Sequence, residues 1–155
     1  MKTSEAKLEE LGIVLPHAAA PVANYVPGVV HGGMLYISGQ IPFDPEGVPI
    51  RGRVGETLTT KEGAAAAARC GVGLIAQIKA ALGSLDRVQR IVKLGVFVAS
   101  TPDYTDHPKV ANGASDLMVA VFGEAGRHAR SAVGVAALPL GVAVEVDAII
   151  AVHDG

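Results

Sequence analysis

The sequence predicts an α+β fold in which two helices cover one face of a β-sheet, in the order β-β-α-β-α-β-β after a short N-terminal helix. Three observations support this prediction. Apolar residues recur every three to four positions over Thr60–Leu82, which indicates a long amphipathic helix. Apolar side chains alternate through residues 91–99, which is typical of a strand. Two further apolar runs, 131–137 and 142–152, follow a second helical segment.

The first sixty residues contain three simpler elements. Residues 4–11 have the apolar spacing of a short amphipathic helix. Residues 26–30 and 34–37 are apolar runs separated by two glycines, a pattern that predicts a β-hairpin. Residues 42–57 are rich in Pro, Gly and charge, which predicts a surface loop. The whole chain is interpreted as one domain, with residues 1–20 as a helical extension.

The long helix carries its own start and stop signals. Thr59 and Glu62 have the spacing of a capping box, and Gly83 is placed to end the helix. Gly71 and Gly73 each weaken a helix by about 1 kcal/mol relative to Ala. Close packing of this helix, expected against the sheet, must therefore compensate for them.

The second helix is predicted from residue 106 or 107 to residue 122, with Gly123 at its end. After it, the runs 131–137 and 142–152 are separated by Leu-Pro-Leu-Gly, which predicts a tight turn and an antiparallel pair of strands. This pairing would place Arg130 near the level of Ile149, so that Glu145 need not contact Arg130 within one subunit.

The composition predicts an oligomer. Hydrophobic residues make up 50% of the 155 residues, charged residues 18%, and the mean hydropathy is +0.39. A small monomeric domain needs more polar surface than this. Both faces of the final strand are apolar, whereas the helices can cover only one face of the sheet. We therefore expect subunits that pack sheet against sheet.

Several function classes are disfavoured by composition. The net charge is -2, no basic run occurs, and three Phe, three Tyr and no Trp offer little stacking surface for nucleic acid. No run of about 18 uncharged apolar residues is present, so no membrane span is expected. The five His residues lack metal-ligand spacing, so no metal site is expected. A charged N-terminus and a single cysteine, Cys70, predict a reducing, cytoplasmic location.

The final strand carries two unexpected carboxylates. Val144, Val146 and Ala148 fall on one face by the strand period of two, and Glu145 and Asp147 fall on the other. A carboxylate in an apolar strand is costly unless it is paired or belongs to a site. Interface or surface ion pairs remain an equal alternative for these two residues. Arg130 alone reads as a solvated surface charge.

Five sequence blocks, taken in order, resemble the reactive-intermediate deaminase (Rid, or YjgF) family. They are Tyr25-x-x-Gly28, Ile-Ser-Gly-Gln-Ile-Pro at 37–42, Val-Lys-x-x-Val-Phe-Val at 92–98, Ala-Arg-Ser-Ala-Val at 129–133 followed by Leu138-Pro139, and Val-Glu-Val-Asp-Ala at 144–148. Each block is weak alone, but the ordered set covers residues 20–152.

The resemblance implies a chorismate-mutase-like α+β fold with one mixed sheet, a homotrimer whose sheets form a central barrel, and ligand clefts between subunits. It implies hydrolysis of 2-imino acids or their enamine tautomers to 2-oxo acids and ammonia, without a cofactor. By the same resemblance Arg130 binds the substrate carboxylate and Glu145 positions the attacking water. Tyr25 and Ser38 line the cleft, and Gly39 lies where the backbone approaches the ligand.

This chain also departs from the better-known members of the family. Ala132 stands where many members have Cys, and His128 stands where Pro is common. Two other functions therefore stay open beside deamination. One is binding of a small carboxylate, or chaperone activity, without turnover. The other is the endoribonuclease activity often attached to the family (the L-PSP endoribonucleases), which the acidic charge balance disfavours.

Overall fold

A computed structural model describes residues 2–18, 20 and 23–154. The described chain forms the predicted elements in the predicted order. The helices are α1 (Ser4–Glu10), α2 (Thr60–Leu82) and α3 (His107–Phe122), and the strands are β1 (Gly28–His31), β2 (Met34–Gln40), β3 (Val88–Ala99), β4 (Ala129–Val135) and β5 (Val144–Val152). The ββαβαββ prediction is therefore confirmed.

The sheet has the strand order β1-β2-β5-β3-β4. It is mixed, because β4 runs parallel to β3 whereas the other neighbouring pairs are antiparallel. The predicted antiparallel pairing of β4 with β5 was wrong, since β3 lies between them. A parallel pair needs a long crossover connection, and α3 supplies it between β3 and β4.

The segment between β4 and β5 explains why these strands are not neighbours. Instead of turning back on β4, it is held by the loop that precedes α2. Arg53 donates from Nη2 to the Ala136 carbonyl at 3.0 Å, and Gly52 N–H donates to the Gly141 carbonyl at 3.1 Å. Val142 forms an isolated bridge with Arg51. These contacts carry the chain past the end of β3, so that β5 enters between β2 and β3.

Helices α2 and α3 lie on one face of the sheet and enclose the core. Helix α2 begins with the predicted capping box and ends at Gly83, which adopts a left-handed φ of 82°. It is long and apolar enough to cross a membrane by length and composition, but 61% of its most apolar window is buried inside the fold, as in a core helix. Cys70 is among the fully buried residues of α2.

The other face of the sheet carries apolar side chains that no helix of the described residues covers. Tyr36, Val29 and Val133 keep 45%, 49% and 47% of their surface exposed. Tyr36 pairs with both Val29 and Ile149 across neighbouring strands, which places the three on one face. The predicted two-faced sheet is thus confirmed. We call this surface the open face.

The small residues of α2 allow a close approach to α3 as well as to the sheet, where Cys70 Sγ lies 3.4 Å from the Val144 carbonyl of β5. A Cβ atom at Gly113 of α3 would overlap the backbone carbonyl of Ala64. A Cβ atom at Gly71 would lie 2.8 Å from a methyl carbon of Leu117. Glycine is therefore required at position 113 because backbone, not a movable side chain, occupies the space.

Gly113→Ala is expected to lower the free energy of unfolding by about 1–3 kcal/mol, because two packed helices must separate. Gly73→Ala is the matched control within α2. Its new methyl group would lie 3.5 Å from Gln40, an ordinary contact, so better helix propensity should raise stability by up to about 1 kcal/mol. Denaturant unfolding measures both changes. Wild-type stability in Gly113→Ala would contradict the packing described above.

Candidate functional site

Arg130 lies on the edge strand β4, with its side chain half-buried on the helix side of the sheet. Its neighbour on β3 is Leu94, which is buried beneath the helices. The guanidinium Nη1 donates to Asn112 Oδ1 at 2.9 Å and to Ser115 Oγ at 3.0 Å. Nη2 donates to the Pro108 carbonyl at 3.4 Å. All three acceptors are neutral and belong to α3.

Helix α3 presents these acceptors in a row. Asn112 and Ser115 are three residues apart, so their side chains share one face of the helix, and Pro108 lies one turn earlier. No acidic side chain among the described residues pairs with the Arg130 guanidinium. Of the five guanidinium N–H donors, Nε–H and one Nη2–H have no partner within that part of the chain. The positive charge is therefore available to an anionic ligand.

A second set of polar contacts extends this cluster beyond Arg130. Ser115 Oγ lies 2.8 Å from Nε2 of His128, and Nδ1 of His128 lies 2.6 Å from the Gly126 carbonyl. Sequence reasoning missed Asn112 and Ser115, and it noted His128 only as a departure from the family pattern. Asn112 and Ser115 lie on an ordinary amphipathic helix, so no local signal distinguishes them.

Glu145 and Asp147 lie together on the open face of β5, as the strand period predicted. Glu145 packs directly over Gly39, where a Cβ atom would lie 2.8 Å from the Glu145 carboxyl carbon. Gly39 also lies where the β2–β5 register shifts, between Ile37 and Gln40. Gly39 was expected to let the backbone approach a ligand. In this structure it makes room for the Glu145 side chain.

The carboxyl groups of Glu145 and Asp147 both have raised pKa values. Burial, and then the neighbouring Asp147 charge, raises the pKa of Glu145. Burial also raises the pKa of Asp147, an effect that the Gly95 N–H and the Lys93 charge partly offset. A carboxyl group with a raised pKa is better suited to proton transfer near neutral pH than an ordinary one. Burial raises the pKa of the Cys70 thiol well above its usual value, which makes it a poor nucleophile.

Asp147→Asn is expected to raise the thermal midpoint at pH 7 by about 1–3 °C, a small effect because the carboxyl group is partly exposed and screened. The raised pKa means that the folded state loses stability as pH rises from the unfolded to the folded value. The gain should therefore vanish below the ordinary Asp pKa. Melting curves at several pH values test this, with the exposed Asp103→Asn as control. A gain that is equal at all pH values would contradict it.

Ser38 and Tyr25 lie beside this part of the open face. Ser38 Oγ donates to the Val26 carbonyl at 3.1 Å, and Ser38 N–H donates to the Pro27 carbonyl at 2.9 Å. These bonds hold the segment that leads into β1, where Tyr25 is 57% exposed. Ser38, Gly39 and Glu145 are thus close neighbours, with Tyr25 in the adjoining segment.

A single chain does not bring Arg130 and Glu145 together. Arg130 pairs with Leu94 of β3, and Leu94 pairs with Ala148 of β5. Across the sheet Arg130 is therefore level with Ala148, one residue from the predicted Ile149. However, Arg130 lies on the helix side of β4, whereas Glu145 lies on the open face of β5, beyond β3. The predicted site residues therefore form two separate groups in one subunit.

Two cavities differ in their relation to these groups, because only the smaller one is bordered by a residue of either group. One of about 390 Å³ on the open face is bordered by Asp147, Lys93 and Ser131. One of about 610 Å³ lies between residues 12–18 and α2. Within residues 2–18, 20 and 23–154, no three His, Cys, Asp or Glu side chains are grouped so as to hold a metal ion.

Comparison with known proteins places this geometry in a family. Residues 5–150 match the family described as "YjgF/chorismate_mutase-like, putative endoribonuclease". Protein TCP17 of Trypanosoma cruzi is 55% identical over 96% of this chain and 94% of its own length. The 2-iminobutanoate/2-iminopropanoate deaminase of Salmonella typhimurium is 35% identical over 88% of this chain and 94% of its own length.

A solved structure agrees with the fold over nearly the whole chain. The protein Atu1372 of Agrobacterium tumefaciens, whose crystal structure is described as that of a protein with unknown function, superimposes with a TM-score of 0.90 and 44% identity. The match covers 97% of this chain and 94% of the other. With the mixed five-stranded sheet and the matched family region, these likenesses establish that the chain belongs to the YjgF/chorismate-mutase-like family.

Proposed function

We propose that this protein hydrolyses reactive 2-imino acids, or their enamine tautomers, to 2-oxo acids and ammonia. The observation that carries the proposal is the half-buried guanidinium of Arg130, which is held by three neutral acceptors and has no acidic partner among the described residues. A positive charge held in place without a counterion is suited to bind a carboxylate.

The free donors of Arg130 match the common feature of these substrates. Every 2-imino acid and 2-oxo acid carries a carboxylate next to the reacting carbon. Nε–H and the free Nη2–H belong to one planar guanidinium, which can pair with two carboxylate oxygens. Partial burial strengthens that pairing, because the effective dielectric is lower than in water.

We propose that the complete site forms between subunits of a homotrimer. In one chain, Arg130 and Glu145 lie on opposite faces of the sheet, so a second copy must supply one of them. The uncovered apolar side chains of the open face, such as Tyr36 and Val133, support burial of this surface against another subunit. Glu145, Gly39 and Ser38 of one subunit would then meet Arg130 of the next.

The chemistry requires little beyond placement and proton transfer. Arg130 holds the carboxylate, and Glu145 accepts a proton from a water molecule that adds to the imine carbon. The resulting carbinolamine carries a hydroxyl and an amino group on the same carbon. Its amino group carries the proton that Glu145 took from the water. Glu145 then moves the hydroxyl proton to the nitrogen, the carbon–nitrogen bond breaks, and ammonia leaves as the carbonyl forms. One imino acid and one water thus give one 2-oxo acid and one ammonia.

The relatives support this proposal unevenly. The Salmonella relative is named as a deaminase of 2-iminobutanoate and 2-iminopropanoate. The more similar Trypanosoma protein has a name that states no activity. The proposed reaction therefore depends chiefly on Arg130 and Glu145, and it needs a direct assay.

The second candidate function is binding of a small carboxylate without turnover. It is favoured by two observations. The Arg130 cluster is complete within one subunit, whereas Glu145 is not part of it. Ala132, two residues further along β4 and therefore on the same side as Arg130, offers no thiol beside the bound ligand. This candidate predicts Arg130-dependent binding of 2-oxobutyrate with no acceleration of imine hydrolysis.

The deciding experiment generates 2-aminoacrylate or another imino acid in situ and follows 2-oxo acid formation. Acceleration by the wild type, but not by Arg130→Ala, is the expected result. Equal rates with and without the wild type would exclude the deaminase, and a thermal shift with 2-oxobutyrate would then support binding alone. Light scattering should give the mass of a trimer. RNA cleavage that persists through purification and disappears in Arg130→Ala would favour an endoribonuclease.

A further inference from the structure

His128 and Ser115 form a hydrogen-bonded chain that ends on the guanidinium of Arg130. The Gly126 carbonyl lies 2.6 Å from Nδ1 of His128, Nε2 lies 2.8 Å from Ser115 Oγ, and Oγ accepts from Arg130 Nη1 at 3.0 Å. His128, Ser115 and Arg130 are all half-buried. The reaction proposed above assigns no role to His128 or Ser115.

The direction of each hydrogen bond in this series follows from the Gly126 carbonyl at its end. A backbone carbonyl can only accept, so Nδ1 of His128 carries a proton. In the neutral ring Nε2 then accepts, and the Ser115 hydroxyl donates its single proton to it. The lone pairs of Ser115 Oγ are left to accept from Arg130. Ser115 is thereby oriented as an acceptor toward the guanidinium.

The Gly126 carbonyl, where the hydrogen-bonded chain begins, is held in place by close packing. Gly126 is buried, and a side chain at this position would collide with the Met118 carbonyl. His128 follows two residues later and directly precedes β4. The imidazole is therefore held between the turn after α3 and the start of the strand that carries Arg130.

We propose that Ser115 and His128 are positioning residues, which hold the Arg130 guanidinium with its free Nε–H and Nη2–H directed at a ligand carboxylate. The identity of the ligand rests on the proposed function, but the orientation of Arg130 does not. Without the Ser115 hydroxyl, Nη1 loses one of its two acceptors and the Arg130 side chain gains rotameric freedom. Binding must then restrict that freedom again, which weakens affinity.

The test compares Ser115→Ala, Ser115→Thr, His128→Phe and the double variant Ser115→Ala/His128→Phe by calorimetric titration with 2-oxobutyrate. Ser115→Ala should weaken binding about tenfold, as expected for loss of one hydrogen bond to a charged group. Ser115→Thr keeps the hydroxyl and should bind within about twofold of the wild type. The double variant should be no weaker than Ser115→Ala alone, because His128 acts through Ser115.

Kinetics and melting curves separate positioning from simple support of the fold. Because Arg130 holds the carboxylate in both the ground state and the transition state, Ser115→Ala should raise KM with little change in kcat. A merely structural role would lower the melting temperature of Ser115→Ala and leave its affinity and KM at wild-type values. That result would overturn the proposal.

Failure of this proposal can be told apart from failure of the proposed function. If Arg130→Ala loses binding while Ser115→Ala and His128→Phe match the wild type, the positioning role is wrong and the carboxylate site stands. If the wild type neither binds 2-oxobutyrate nor turns over imino acids, crystal structures of the wild type and Ser115→Ala decide. An unchanged Arg130 rotamer overturns the proposal, and a displaced or multiply occupied one supports it.

Discussion

Arg130→Ala is expected to lower kcat/KM for 2-imino acids by about a hundredfold to a thousandfold, because truncating one partner of a charge-assisted pair that the bound ligand buries costs about 2–5 kcal/mol. The acceptors Asn112, Ser115 and Pro108 of α3 would remain, but the cation that they hold would be lost. A ligand carboxylate would then have no charged partner in this cluster. Steady-state kinetics with an imino acid generated in situ measures the loss.

Two further arginine variants make this experiment specific. Arg130→Lys keeps the charge but not the planar fork, so its activity should lie between those of the wild type and Arg130→Ala. Arg127→Ala removes an exposed arginine three residues earlier, whose Nε lies 3.2 Å from Glu124. Exposed ion pairs contribute little, so Arg127→Ala should retain wild-type activity. Full activity in Arg130→Ala would contradict the proposed carboxylate site.

Glu145→Gln is expected to lower kcat by about a hundredfold to a thousandfold, the usual contribution of a positioned general base. The amide keeps the shape that packs over Gly39 but cannot accept the proton from water. In the wild type, kcat/KM should rise with pH as Glu145 ionises, at a pH above the ordinary range for Glu because its pKa is raised. Glu145→Gln should lose this rise.

Asp147→Asn gives a second test of the pH profile, because it should shift the profile without removing the base. The Asp147 charge is one cause of the raised pKa of Glu145. Removing that charge should let Glu145 ionise more easily, so the rise in kcat/KM should move to lower pH while kcat at high pH changes little. A profile that is identical in the wild type, Asp147→Asn and Glu145→Gln would show that Glu145 is not the titrating base.

The elements of this fold could be predicted wherever their signals are local. The capping box of Thr59 and Glu62, the stop at Gly83 and the alternation within β3 each depend on neighbouring residues, and each is confirmed. The pairing of β4 was wrong because it depends on a distant segment. Arg53 binds the Ala136 carbonyl across 83 residues, and no short-range pattern reveals that contact.

In the candidate site too, residues with a local signal could be predicted, whereas residues that only the fold brings together could not. Glu145 and Asp147 could be identified as candidates because charge interrupts an apolar strand, which is a local signal. Arg130 was distinguishable from a surface charge only by the family resemblance. Its partners Asn112 and Ser115 precede it by 18 and 15 residues and become neighbours only when α3 folds over β4. The site roles of Tyr25 and Ser38, which the resemblance implies, stay predictions.

The central position of β5 has a consequence for synthesis on the ribosome. The other four strands precede β5 in the chain, yet β5 joins β2 to β3 and buries alternate side chains beneath the helices. Until residues 144–152 have emerged, the hairpin of β1 and β2 has no partner in the sheet, and the apolar edge of β3 stays open. Unpaired edges of this kind promote aggregation. The nascent chain should therefore depend on chaperone protection until nearly all of this sequence has been translated.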